Sequence, residues 1–152
     1  MATHPKIAII YASGMGRTQL MAEAIAEGAR TVNGIDILLK DVSLAVPEDI
    51  KDASAILLGG STYNHKLIEP MRSFLDKIKD TDLKGKIGVA FGSYGWSGEG
   101  VPAIMDWMNS KGMNLVEPGL SVQQLPNEKV IQDFFMLGRV VAEGTKGGVS
   151  NG

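Results

Sequence analysis

The stretch Lys6-Ile7-Ala8-Ile9-Ile10-Tyr11-Ala12-Ser13-Gly14-Met15-Gly16-Arg17-Thr18 decides the architecture. Lys6 to Tyr11 is a β-branched apolar run without alternation, the pattern of a strand buried on both faces of a parallel sheet. Ser13 to Thr18 is a glycine- and hydroxyl-rich turn. Beyond it Leu20, Ala24, Ile25, Ala29 and Val32 recur at helical spacing up to an Asn33-Gly34 stop signal. Strand, turn and helix make one β-loop-α unit.

The same grammar recurs along the chain. Ile35 to Val42 reads as a second strand, Pro47 to Asp52 as a short helix with Pro in its first turn, and Ala55 to Leu58 as a third strand. Met71, Phe74, Leu75 and Ile78 fall on one helical face, Ile87 to Phe91 reads as a fourth strand, and Val101, Ile104, Met105 and Met108 repeat the helical stripe. Asn114 to Val116, resuming at Leu120 to Val122, reads as the fifth strand, and Val130, Phe134, Leu137 and Val141 mark the last helix. Strict alternation with right-handed crossovers predicts an α/β fold: a doubly wound five-stranded parallel sheet, order 2-1-3-4-5, with helices on both faces. Residues 1–152 read as a single domain, with 144–152 as a frayed tail.

Composition excludes several chemistries. The chain has 152 residues, a formal net charge of -2, no Cys and two His. Disulfides, thiolate catalysis and cysteine-held metals are ruled out, and His4 and His65 alone cannot build a multi-histidine metal cluster. The 15 Lys and Arg are scattered among 17 Asp and Glu, without the basic stripe that nucleic acid requires. No apolar run reaches the roughly 18 residues of a membrane span, and the first residues lack a signal-peptide layout, so a cytoplasmic protein is expected.

In an open α/β sheet, ligands bind beyond the carboxyl ends of the strands, where strand order reverses. Eight of the 19 glycines fall in the segments after strands 1, 3 and 4: Gly14, Gly16, Gly59, Gly60, Gly92, Gly95, Gly98 and Gly100. For any one of them a simple turn is the commoner explanation; three such segments at one edge point to a ligand. Ser13 to Thr18 enters a helix, so its hydroxyls and backbone N–H groups suit an anion such as a phosphate. It is not a Walker loop, because no Lys precedes Thr18, and Gln19 stands where the dinucleotide fingerprint needs its third Gly. A terminal monophosphate fits best. Gly59 to His65 and Gly92 to Glu99 set aromatics among small residues, an arrangement suited to stacking a flat heterocycle.

Three motifs are similar to those of flavodoxins, and in particular to the flavodoxin module of flavo-diiron (A-type) flavoproteins. They are Tyr11 to Thr18, Thr62-Tyr63-Asn64, and Phe91-Gly92-Ser93-Tyr94-Gly95-Trp96-Ser97-Gly98-Glu99. The resemblance runs from Lys6 to about Glu143. It implies a flavodoxin-like fold of the short-chain type and FMN as cofactor, with Ser13, Met15, Gly16, Arg17 and Thr18 around the phosphate. Ser61, Thr62, Tyr63 and Asn64 would border the isoalloxazine on one side, and Ser93, Tyr94, Gly95, Trp96 and Gly98 on the other. Three positions depart from the family pattern: Met15 replaces a large aromatic, Arg17 a small polar residue, and Ser61 a common proline. Asn64 stands where flavodoxins often have Gly, and its peptide is expected to turn toward flavin N5 on reduction, against a strain of roughly 1 kcal/mol.

The function implied is FMN-dependent electron transfer between redox partner proteins, a separate di-iron protein among them, with no catalytic or metal-ligating residue of its own. Docking is expected through a flat apolar contact at Met15, Tyr94 and Trp96 rather than an acidic rim. The alternative is a flavin-dependent NAD(P)H or quinone reductase with His65 as proton donor. A flavin-free receiver domain is disfavoured, because Ala12, Ser13 and Gly60 stand where its acidic residues belong.

Overall fold

The computed structural model describes residues 4–116, 119–123 and 125–151, with side chains as far as residue 146. In chain order the elements are β1 (Lys6–Ala12), α1 (Arg17–Arg30), β2 (Asp36–Asp41), α2 (Glu48–Lys51), β3 (Ala55–Gly60), β4 (Thr62–Tyr63) and β5 (Lys66–Leu67). They continue with α3 (Glu69–Lys77), β6 (Ile87–Tyr94), α4 (Gly100–Ser110), β7 (Asn114–Leu115), β8 (Leu120–Gln123) and α5 (Glu128–Asn151).

The central sheet is parallel, in the order β2-β1-β3-β6-β7, with β8 also pairing β6. This is the expected 2-1-3-4-5 order with the fifth strand in two pieces. β7 pairs the start of β6 and β8 its end. At the other end, α5 keeps helical backbone through the glycine-rich segment in which the sequence suggests fraying.

Two apolar layers sandwich the sheet, and β1 feeds both. Ala8, Ile10 and Ala12 face a core built with Met71, Phe74 and Leu75 of α3 and Val101, Ile104 and Met108 of α4. Ile7, Ile9 and Tyr11 face the other, with Met21 and Ile25 of α1 and Phe134 and Val141 of α5. Both sets are apolar because each face of a doubly wound sheet is covered, which is why the run at Lys6 shows no alternation. Phe91 and Phe134 meet edge to face, centroids 6.1 Å apart.

Helices α1 and α5 cross with almost no side chain between their backbones. A Cβ at Gly28 would lie 1.8 Å from the Phe135 carbonyl oxygen, and one at Gly138 would lie 1.9 Å from that of Ile25. The crossing anchors α1, and through it the turn that precedes α1.

A partly buried ion pair secures the β2–α2 connection. Asp49 accepts hydrogen bonds from Lys40 Nζ at 3.0 Å and from the Val46 N–H at 2.9 Å. Burial pushes its carboxyl up, but the Val46 N–H and Lys40 outweigh that and hold it below the usual value. The stability this contributes is present above the ordinary carboxylate pKa and is lost as pH falls through the folded one. Asp49→Asn is expected to cost about 1–2 kcal/mol in urea unfolding at neutral pH, a figure discounted because Lys40 is partly exposed. The gap from wild type should shrink below about pH 4.

Candidate functional site

The carboxyl ends of β1, β3 and β6 lie side by side, with Ala12 paired to Gly60 and Gly59 to Phe91. Here the strand order reverses, so the segments leaving β1 and β3 part to opposite faces and open a crevice. β3 continues through Gly60 and β6 through Tyr94, so Gly59, Gly60, Gly92, Ser93 and Tyr94 are strand residues where the sequence reading ended strands at Leu58 and Phe91. The extension of β6 comes from β8, which pairs Gly92 to Ser121 and Tyr94 to Gln123. These glycines serve close approach rather than turning: a Cβ at Gly92 would sit 2.0 Å from the Gly60 carbonyl oxygen, and one at Gly59 would sit 2.2 Å from the Phe91 ring.

The segment between β1 and α1 is held by its own hydrogen bonds. Ser13 Oγ accepts from the Gly16 N–H at 2.9 Å, and Gly16, at φ 85°, swings the chain into the helix. Its carbonyl accepts the Leu20 N–H at 3.1 Å, which starts the α1 ladder. No side chain caps α1, no acid sits in its first turn, and its first residue is Arg17. The first-turn amides and the positive end of the dipole therefore face an anion unopposed. Thr18 is fully buried, and its Oγ1 lies 3.1 Å from Ser93 Oγ while accepting the Ser93 N–H at 3.3 Å. Its hydroxyl ties α1 to β6.

Two adjoining hollows share Thr62. One, of about 210 Å³, is lined by Met15, Arg17, Ser61, Thr62, Tyr63, Ser93, Tyr94 and Gly95, together with Gly14 and Ile68. The second, of about 170 Å³, is lined by Thr62, Asn64, His65, Trp96 and Ser97. Together they fall in the roughly 300–1,000 Å³ range of small-molecule sites. Tyr63 and Trp96 are 76% and 88% exposed, so both rings are free to take a planar partner. Of the other expected residues, Gly16 caps α1, Thr18 lies beneath the cleft, and Gly98 packs near the Tyr94 ring. Ser13 borders a separate hollow of about 290 Å³ with Asp41 and Lys77.

A larger hollow of about 860 Å³, lined by Lys51 to Ser54, Asp80 to Asp82 and Lys84 to Lys86, lies beside the amino ends of β3 and β6. It has no aromatic lining and stands away from the strand-end edge. The anion-ready helix start and the exposed rings single out the smaller pair.

Sequence periodicity missed the β4–β5 hairpin. Thr62 pairs with Leu67 and Tyr63 with Lys66, around Asn64 at φ 53° and His65 at φ 63°. A two-residue turn with both central residues at positive φ is the I′ geometry that suits strand twist; Asn at its first position is the one local signal. Thr62 Oγ1 accepts the Gly100 N–H at 2.8 Å, which fastens the hairpin to the start of α4. Ile68, which lines the first hollow, also went unassigned in the sequence reading.

Residue types and spacing match a flat heterocycle bearing a phosphate, with Arg17 and Tyr63 lining one hollow and Trp96 its neighbour. Residues 9–137 match the family model described as Flavodoxin. The Type A flavoprotein fprA of Rhodobacter capsulatus is 33% identical over 139 residues, which make up 89% of this chain and 32% of that protein. A flavodoxin of Clostridium beijerinckii is 34% identical over 139 residues, 88% of this chain and 97% of that one. A solved flavodoxin from the domain Archaea shares 37% identity at a TM-score of 0.88, over 93% of this chain and 99% of that one. The chain spans about a third of the length of the first curated relatives it matches. No helix among the described residues is long and apolar enough to cross a membrane.

Proposed function

The chain belongs to the flavodoxin family of FMN-binding electron-transfer proteins, and from that premise we propose that it holds FMN in the strand-end cleft and shuttles electrons between redox enzymes. The observation that carries the reading is a pair of adjoining hollows that brings Arg17, from the first turn of α1, together with the exposed rings of Tyr63 and Trp96. When bound, FMN supplies one- and two-electron redox chemistry. The remaining work falls to the chain.

The first-turn amides of α1 and the Arg17 guanidinium hold a phosphate dianion, with the Ser13–Gly16 hydrogen bond fixing the turn that presents them. The Thr18–Ser93 contact locks this turn to β6, so the phosphate end and the ring end are set by one rigid sheet edge. Tyr63, Tyr94 and Trp96 offer stacking surface and exclude water from the ring faces. Asn64, already at positive φ, stands at the hairpin tip on the wall of the second hollow. Residues 1–152 act as one domain in this reading, in the cytoplasm.

The partners we propose are redox proteins, a di-iron protein among them, because flavo-diiron proteins are among the relatives the chain matches. Met15, at 80% exposure, joins Trp96 in an apolar rim, and the net charge of the whole chain is only -2. Electron-transfer rates to a partner are therefore expected to change less than about threefold between 20 mM and 300 mM salt, as followed by stopped-flow absorbance. A steep fall with salt would favour an electrostatic dock.

Anaerobic steady-state kinetics tests the function. The FMN-loaded chain is expected to pass electrons from a reductase to an acceptor protein while oxidising NAD(P)H with quinone no faster than free FMN. Sustained quinone turnover by the chain alone would replace the carrier reading with that of a reductase.

A further inference from the structure

We infer that His65, Ser97 and Glu99 form a tie across the mouth of the cleft that positions the Asn64–His65 turn and slows release of the cofactor. The inference rests on the FMN reading above. His65 Nδ1 lies 2.9 Å from Ser97 Oγ and 4.0 Å from Glu99 Oε2. Ser97, the Glu99 N–H and the nearby imidazole hold the Glu99 carboxyl below its usual range. The contact of Nδ1 with Ser97 Oγ, with the Glu99 carboxylate beside it, spans the hairpin turn and the segment after β6. It is a structural chain joining two segments 32 residues apart.

The hairpin needs such a tie. Each of its strands has two residues, too few to be stable alone, and its turn places two non-glycine residues in the left-handed region. Its base is fixed by the Ile68 N–H donating to the Ser61 carbonyl at 2.9 Å and by Arg72 Nε donating to the Leu67 carbonyl at 2.8 Å. Thr62, bonded to the Gly100 N–H, holds the near side. At the tip itself, the described hydrogen bond from a turn residue is that of His65 to Ser97. The hollow of about 170 Å³ lies between these two ties, with Asn64 and Trp96 on its walls. Opening the tip therefore opens that hollow. His65, Ser97 and Glu99 are positioning residues, acting through the Asn64 peptide and the Trp96 side of the cleft.

The test is a double-mutant cycle on FMN release. Wild type, Ser97→Ala, His65→Gly, the double variant and Ser97→Thr are loaded with FMN, and the recovery of flavin fluorescence is followed after dilution. Ser97→Ala and His65→Gly are each expected to release FMN about threefold to tenfold faster. The double variant should be within twofold of the faster single, and Ser97→Thr close to wild type. Amide exchange at residues 64–66 of the cofactor-free protein should quicken in Ser97→Ala while its urea midpoint stays that of wild type. Release at the wild-type rate in Ser97→Ala, or fully multiplicative effects in the double variant, would overturn the inference. Should wild type bind no FMN, the functional reading falls, and unchanged exchange at 64–66 in Ser97→Ala would then separately overturn the tie.

Discussion

Replacing Arg17 by glutamate is expected to weaken FMN binding about 30- to 100-fold while changing riboflavin affinity less than about threefold. The expectation follows from the start of α1. No side chain caps that helix, and no acid shares its first turn, so its amides and partial positive charge are free for an anion. Arg17 stands in that first turn and lines the cleft. Removing a charge-assisted hydrogen bond costs roughly 1.5–3 kcal/mol, and a carboxylate placed against a phosphate adds repulsion. Riboflavin has the same ring and no phosphate, so it reads the stacking surface without the anion site. Equal losses for the two ligands, or none for FMN, would mean that Arg17 turns to solvent. Fluorescence titration of both ligands against both proteins separates these outcomes.

Gly138→Ala is expected to destabilise the protein by about 3 kcal/mol or more, with a fall in midpoint temperature of about 10 °C. The new Cβ would lie 1.9 Å from the Ile25 carbonyl oxygen and 3.0 Å from the Ala29 nitrogen. Backbone, not a flexible side-chain tip, is the obstacle, so no rotamer change relieves it and the two helices must move apart. Gly28→Ala meets the Phe135 carbonyl from the other side of the crossing and should behave alike. Because α1 carries the anion site at its amino end, both variants should also lose FMN affinity. A melting temperature within about 2 °C of wild type would contradict the crossing geometry.

How much of this was legible beforehand divides along physical lines. Local periodicity located every helix and the strands of the central sheet, because buried parallel strands and amphipathic helices leave unmistakable apolar patterns at Ile7 to Ile10 and at Met71 to Ile78. Strand order was legible from the β-α alternation, but how far each ladder runs was not. β6 reaches Tyr94 only because β8 lies beside it, and nothing within Phe91 to Tyr94 announces that. The β4–β5 hairpin is too short to show alternation, and its I′ turn uses Asn-His in place of the commoner Asn-Gly. A glycine count does not separate the roles the fold gives them: Gly16 makes a left-handed turn, Gly59 and Gly92 admit close contact, and Gly28 and Gly138 let helices touch.

The site was legible as three motifs but not as a division of labour among residues. Met15, Arg17, Ser61, Tyr63, Tyr94 and Gly95 do converge on one hollow, and Trp96 with Asn64 on its neighbour. Thr18 reads as an anion ligand in sequence; in the fold its hydroxyl is buried against Ser93, a partner 75 residues away. His65 reads as a proton donor in the reductase alternative, whereas in the fold its Nδ1 lies 2.9 Å from Ser97 Oγ, 32 residues away. Tertiary contacts of this kind leave no trace in spacing.

The most direct measurement is a fluorescence titration of FMN with the cofactor-free chain at fixed salt. The account predicts that flavin emission is quenched to a plateau at one equivalent of protein, as the ring is taken up against Tyr63 and Trp96, and that riboflavin requires far more protein for the same quenching. Emission that stays at the level of free FMN throughout, or equal affinity for the two flavins, would contradict it.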